Sequence, residues 1–195
     1  MKIVALNGSP KKDGNTAYLL KLMGDVIKAE GIDFELISVQ EALMSVKVPF
    51  CINCKAKCDG ACFTNTLLEE LFIKMKEADG LILGSPVYFG SMSAQMKALF
   101  DKSRGLRAEE AFLGKPGVCV ASGFSQSGGQ ETTIKAMQDM MAVHGMTIVN
   151  DGYTDFGAGH LGVRSYRDSR EDEFAKTRAK SAALRLVHEV RLRTK

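Results

Sequence analysis

Short apolar runs alternate along this chain with longer stretches in which apolar residues recur every three or four positions. The runs cover residues 3–6, 34–39, 80–84, 117–121 and 146–149. They are rich in Ile, Val and Leu with little alternation, the pattern of parallel strands covered on both faces. Helical spacing marks 15–29, where Leu19, Leu20, Met23, Val26 and Ile27 share a face, and 66–77, with Leu67, Leu68, Leu71 and Met75. Helical patterns also cover 93–104, 130–144 and 171–191, the last opening on Glu171, Asp172 and Glu173 and closing on Arg191 and Arg193, charges that suit the helix dipole. This β-α repetition predicts a three-layer α/β domain over 1–195, a doubly wound parallel five-stranded sheet with right-handed crossovers. One long irregular insertion, about 44–66, interrupts it.

Ligands of such sheets sit beyond the carboxyl ends of the strands, and three predicted strand ends run into unusual loops. The first is 8–16, from Gly8 to Thr16. Gly8 and Gly14 let the backbone turn and approach a ligand. Asn15 and Thr16 open the helix, where free N–H groups favour an anion. Ser9, Asn15 and Thr16 can donate hydrogen bonds, and Lys11 or Lys12 can add charge. A Walker loop is excluded because Asn15 stands where its lysine belongs; the G-x-G-x-x-G pattern is excluded because Pro10 occupies the second glycine. A phosphatase loop is excluded by the lack of a cysteine there. A cradle for one terminal monophosphate remains, beside the plainer alternative of a capped turn. The second loop, Gly84-Ser85-Pro86-Val87-Tyr88-Phe89-Gly90-Ser91, offers aromatic walls for a flat heteroaromatic ring. The third, from Ser122 and Gly123 through Gly128 and Gly129 to Glu131, is polar and glycine-rich and opens a helix.

Composition narrows the setting. The net charge of +3 with dispersed basic residues gives no case for nucleic acid. No apolar run approaches the roughly 20 residues of a membrane span, and the start is broken too early for a signal peptide. A cytoplasmic protein is expected, whose five cysteines are thiols or metal ligands rather than disulfides.

The segments N-G-S-P-K-K-D-G-N-T (7–16), G-S-P-V-Y-F-G (84–90) and G-G-Q-E (128–131) resemble the flavodoxin-like FMN oxidoreductases, in the branch of NADPH-dependent FMN reductases and iron–sulfur flavoproteins. The resemblance spans nearly the whole chain. It implies a 2-1-3-4-5 sheet, bound FMN and a homodimer or homotetramer. By position it assigns Ser9, Lys11, Asn15 and Thr16 to the FMN phosphate, and Pro86, Val87, Tyr88 and Phe89 to the isoalloxazine ring. Ser122, Gly123 and the loop through Gly128 and Gly129 would cover the ring's remaining edge. His160, after the fifth run, is a further candidate for touching flavin or substrate. The activity implied is transfer of electrons from NAD(P)H through FMN to a quinone, a free flavin or another small-molecule acceptor. The alternative is an electron carrier between redox proteins, and a third reading is a zinc-stabilised binding module on the same fold.

Cys51, Cys54, Cys58 and Cys62 place four thiols within twelve residues. Four close thiolates suit an iron–sulfur cluster such as [4Fe–4S], or tetrahedral zinc; free or redox thiols, favoured as thiolates by Lys55 and Lys57, are the third alternative. The iron–sulfur flavoproteins carry C-x2-C-x2-C followed by a fourth cysteine. This chain has C-x2-C-x3-C-x3-C, with the third cysteine displaced by one. Cys119, inside a predicted strand, is expected to be a buried apolar residue.

Overall fold

The computed structural model describes residues 1–193; the last two residues of the domain expected over 1–195 lie outside them. In chain order the elements are β1 (Lys2–Asn7), α1 (Asn15–Ala29), β2 (Asp33–Ser38), α2 (Val39–Met44), α3 (Leu67–Glu77), β3 (Gly80–Pro86), α4 (Ala94–Lys102), α5 (Arg104–Ala108), β4 (Pro116–Gly123), α6 (Gln130–Val143), β5 (Thr147–Ile148), β6 (Val163–Tyr166) and α7 (Glu173–Arg193). The main order is β2-β1-β3-β4-β5, and the pairings are parallel.

The side chains of the central strands divide with a period of two. Val4, Leu6, Leu81, Leu83, Cys119 and Ala121 pack into a core shared with α2, α3, α4 and α6. Ile3, Ala5, Ile82, Val118 and Val120 pack on the opposite face, against Leu19, Leu20, Met23 and Ile27 of α1 and Ala179, Ala183, Leu186 and Val190 of α7. Each strand thus gives apolar side chains to both layers, which is why the runs read as continuous rather than alternating.

The five positions of the expected 2-1-3-4-5 sheet are filled by six strands. The fifth position beside β4 is divided: β5 pairs with Pro116 and Gly117, and β6 pairs with 120–123. Between them, 149–162 leaves the sheet and returns. Asp151 anchors this excursion, accepting a 2.6 Å bond from Arg178 Nε while both side chains are buried. Arg178 Nη1 also donates to Phe156 O at 2.7 Å, and Ser181 Oγ to Asp151 O at 2.7 Å. Gly152 and Gly159 meet back to back, so that a Cβ on Gly152 would lie 2.0 Å from Ala158 O. The half-strand Val163–Tyr166 has four residues, two of them polar and one arginine, so it gives no apolar run to recognise.

No helix among the described residues is long and apolar enough to cross a membrane.

At the C-cap of α6, His144 is buried between the rings of Phe100 and Phe112, at centroid distances of 5.6 and 5.0 Å. Ser103 Oγ donates to Phe100 O at 2.7 Å and lies 2.8 Å from His144 Nε2. That arrangement puts the imidazole proton on Nε2, and Nδ1 has no hydrogen-bond partner. Burial, helped by the Arg107 charge, holds the His144 pKa below its ordinary 6.5. The unfolded chain therefore binds a proton that the folded one refuses as pH falls below 6.5, and stability falls with pH in that window. Urea unfolding between pH 6.5 and 5 should show this slope, at most about 1.4 kcal/mol per pH unit from one group, and His144→Phe should flatten it.

Candidate functional site

The carboxyl ends of β1, β3 and β4 open into three loops that are bonded to one another. Where β1 ends, the Gly8 amide donates to Gly84 O at 2.8 Å, and Ser93 Oγ donates to Gly8 O at 2.7 Å. A Cβ at Gly8 would stand 3.0 Å from Gly84 O, so the close approach of the two backbones leaves little room for a side chain. The loop then folds on its own side chains. Asn7 Oδ1 accepts from the Ser9 amide at 3.1 Å, Asn7 Nδ2 donates to Lys11 O at 3.3 Å, and Ser9 Oγ accepts from the Lys11 amide at 3.1 Å. Ser9 is thereby held with its hydroxyl hydrogen still available.

The turn into α1 is not closed by a side chain. Gly14 is the N-cap and makes no side-chain bond, and the first helical bond runs from the Tyr18 amide to Gly14 O at 3.0 Å. The amides of Asn15, Thr16 and Ala17 therefore have no partner within the helix and lie at its positive end.

Two of the side chains expected at the phosphate are engaged elsewhere. Thr16 Oγ1 lies 2.6 Å from Ser122 Oγ, both buried, which fastens the start of α1 to the end of β4. The Asn15 amide group donates to Arg167 O and accepts from the Ser169 amide at 3.4 Å, joining α1 to the loop after β6. Ser9, Lys11 and the first-turn amides are left to meet an anion.

In the second loop the Val87 amide donates to Ser122 O at 2.8 Å, a link from β3 to β4. Tyr88 and Ser91 exchange backbone bonds of 2.9 and 3.1 Å around Phe89 and Gly90, whose φ values of 50° and 73° are those of a type I′ turn. Pro86 and Val87 are half-buried, whereas Tyr88 and Phe89 present their rings outward.

The third loop is organised by Gln130, at the start of α6. Its Nε2 donates to Ser125 O at 2.5 Å and to Ser165 O at 3.3 Å, and its Oε1 accepts from the Gly128 amide at 3.0 Å. Thr132 Oγ1 reaches Gly90 O at 2.6 Å. Gly129, with φ of 100°, sits so near the second loop that a Cβ would lie 2.6 Å from Gly90 Cα. Ser122 and Gly123 thus meet Gly128 and Gly129 within one frame. Gln130 and Asn7 were not singled out as site residues from sequence, because their work is bonding to distant backbone that no local pattern exposes.

His160 lies elsewhere. It is in the 149–162 excursion, with its amide bonded to Asp151, Nδ1 3.6 Å from the Asp151 carboxylate and its ring 5.8 Å from that of Phe174. It lines a concavity of about 1170 Å³ with Tyr153, Arg185 and His188, apart from the aromatic loop. Tyr88 and Phe89 instead open onto a groove of about 1230 Å³ along α4 that extends to Arg104 and Arg107 and also reaches Cys51.

Cys51, Cys54, Cys58 and Cys62 line one cavity of about 360 Å³ together with Lys102 and Arg104. Lys102, itself buried, places Nζ 3.6 Å from Cys62 Sγ, and Arg104 donates to the carbonyls of Lys55 and Ala56 at 3.4 and 3.2 Å. Among the described residues no three His, Cys, Asp or Glu side chains are gathered as a metal-binding group. The cavity therefore gathers four thiols and two cationic side chains without the arrangement of a metal centre. Cys119 is fully buried beside Met141 Sδ at 3.4 Å, and burial pushes its thiol pKa well up.

The contact between the second and third loops gives a direct test. Gly129→Ala adds a Cβ where Gly90 already stands and where φ is positive. It should cost about 1–3 kcal/mol of unfolding free energy, measured by urea denaturation.

Residues 1–160 match the family model described as NADPH-dependent FMN reductase. Over 194 residues, 98% of each chain, the sequence is 38% identical to an iron-sulfur flavoprotein of Methanocaldococcus jannaschii. Over 85 residues, 44% of this chain and 41% of the other, it is 47% identical to a quinone-oxidoreductase of Triphysaria versicolor. The solved structure of a flavodoxin, WrbA-like protein from Agrobacterium tumefaciens superposes with a TM-score of 0.70 at 17% identity, covering 98% of this chain and 97% of that one, which supports the fold. By the family model and the full-length relative together, the chain belongs to the NADPH-dependent FMN reductase family.

Proposed function

We propose that this chain, an FMN-dependent oxidoreductase by family, takes electrons from NAD(P)H and passes them through FMN to a quinone, a free flavin or another small acceptor. One observation carries this reading: the uncapped first turn of α1 and the outward rings of Tyr88 and Phe89 lie on loops locked into one frame at the strand ends. The fit to FMN rests on that geometry. The turn offers amides and a serine hydroxyl to a single phosphate, with no Walker lysine for a longer polyphosphate chain.

FMN, when bound, supplies hydride acceptance and onward electron transfer. The chain's part is to hold and orient. Ser9, Lys11 and the amides of Asn15 and Thr16 would bind the phosphate. Pro86, Val87, Tyr88 and Phe89 would wall the ring and shield one side from water. Ser122, Gly123, Gly128 and Gly129 would face its remaining edge, and the dipole at the start of α6 favours negative charge there. No acid–base side chain is assigned. The same reading places the protein in the cytoplasm as a homodimer or homotetramer, in which the exposed Phe89 and Phe124 would find cover.

A second reading, an iron–sulfur flavoprotein carrying electrons between redox proteins, is favoured by the four cysteines around one cavity and their cationic neighbours Lys102 and Arg104.

Protein purified without oxygen should show a flavin spectrum and oxidise NADPH or NADH with a quinone acceptor. Lys11→Ala should weaken FMN binding by about tenfold, the scale of one charge-assisted hydrogen bond. A brown protein containing iron and sulfide, with negligible NAD(P)H turnover, would favour the carrier instead. Sedimentation velocity checks the assembly: a concentration-independent monomer would refute it.

A further inference from the structure

We infer that Arg167 is a phosphate-binding residue of this site, recognising the FMN phosphate from the strand-end loop after β6; the inference rests on the flavin reading above. Arg167 directly follows β6, at the carboxyl edge where the sheet places ligands. Its backbone is gripped from both sides by the expected site. Its amide donates to Gly123 O at 2.9 Å, and its carbonyl accepts from the Asn15 side chain. Asn15 continues to the Ser169 amide at 3.4 Å, and Ser169 Oγ lies 2.6 Å from Ser165 Oγ. The arginine is therefore held beside the first turn of α1.

The guanidinium, by contrast, is exposed and carries no hydrogen bond or ion pair to any described residue. Its charged neighbours are differently placed. Lys12 is paired with Glu41, and Lys21 with Asp13 at 2.6 Å. Arg170 is paired with Asp168 at 3.3 Å and donates to Asp13 O at 3.1 Å. Asp13 and Asp168 thus have cationic partners, while the nearby Asp172 accepts from the amides of Tyr166 and Ala175 at 3.3 and 2.9 Å. Lys11 and Arg167 are the cations at this loop without a carboxylate partner among the described residues. Both belong to loops that adjoin the first turn of α1, where the inferred phosphate would bind.

Arg167 has φ of 54°, a left-handed conformation that suits glycine or asparagine and strains a long side chain. The fork of N–H donors on an arginine side chain matches a phosphate.

The test is Arg167→Asn, which keeps the backbone shape and removes the charge. The full chain, freed of bound flavin, is titrated with FMN and with riboflavin by flavin fluorescence, alongside thermal unfolding. Arg167→Asn should weaken FMN binding by about tenfold or more, leave riboflavin binding unchanged and leave the melting temperature equal or higher. Arg167→Lys should recover part of the loss. An unchanged FMN affinity, or an equal loss for both flavins, overturns the assignment to phosphate. Should Arg167→Asn unfold, Arg167→Gly carries the same prediction and the same refutation. If the unmodified chain binds neither flavin, the flavin reading itself fails. If it prefers FMN to riboflavin and both variants keep that preference, only the role of Arg167 fails.

Discussion

The 2.8 Å bond from the Gly8 amide to the Gly84 carbonyl fixes how closely β1 and β3 run at the moment both leave the sheet. The other loop contacts depend on that distance. Because the two backbones touch, Ser93 can reach Gly8 O and α1 starts directly above the sheet edge. Thr16 can then meet Ser122 two strands away. Small residues at the strand ends make this packing feasible: Gly84 lies where a Cβ would be 2.7 Å from Leu20 Cδ1. A ligand frame of this kind is rigid because each loop is bonded to both others, and not through the stiffness of any single turn.

The order of layers was legible in the sequence because it rests on local signals. Continuous apolar runs announced strands covered on both faces, and the spacing over 15–29 announced α1 with the bounds the structure shows. What was not legible shares one property, dependence on distant partners. The short helices α2 and α5 are too brief for a period to register. β6 is held by its pairing to β4 and not by its own composition.

The same division runs through the site. Its three loops were visible as glycine, proline and small polar residues in the right places. The bonding inside them was not. Asn15 and Thr16 look like anion ligands in sequence, yet their side chains serve as ties to Arg167, Ser169 and Ser122. The spacing of the cysteines brought them to one cavity, but spacing does not decide how sulfur atoms point. Arg167 was hidden because its strand was hidden.

The divided fifth strand separates two jobs that one continuous strand would combine. β5 closes the amino-terminal half of the sheet edge, while β6 alone sets the position of the loop beside Gly123. The excursion between them is fastened to α7 through Asp151 and Arg178 rather than to the three loops. A disturbance within the excursion is therefore transmitted first to the long closing helix, through its buried ion pair and its two touching glycines, and reaches the carboxyl-edge frame only by way of β6.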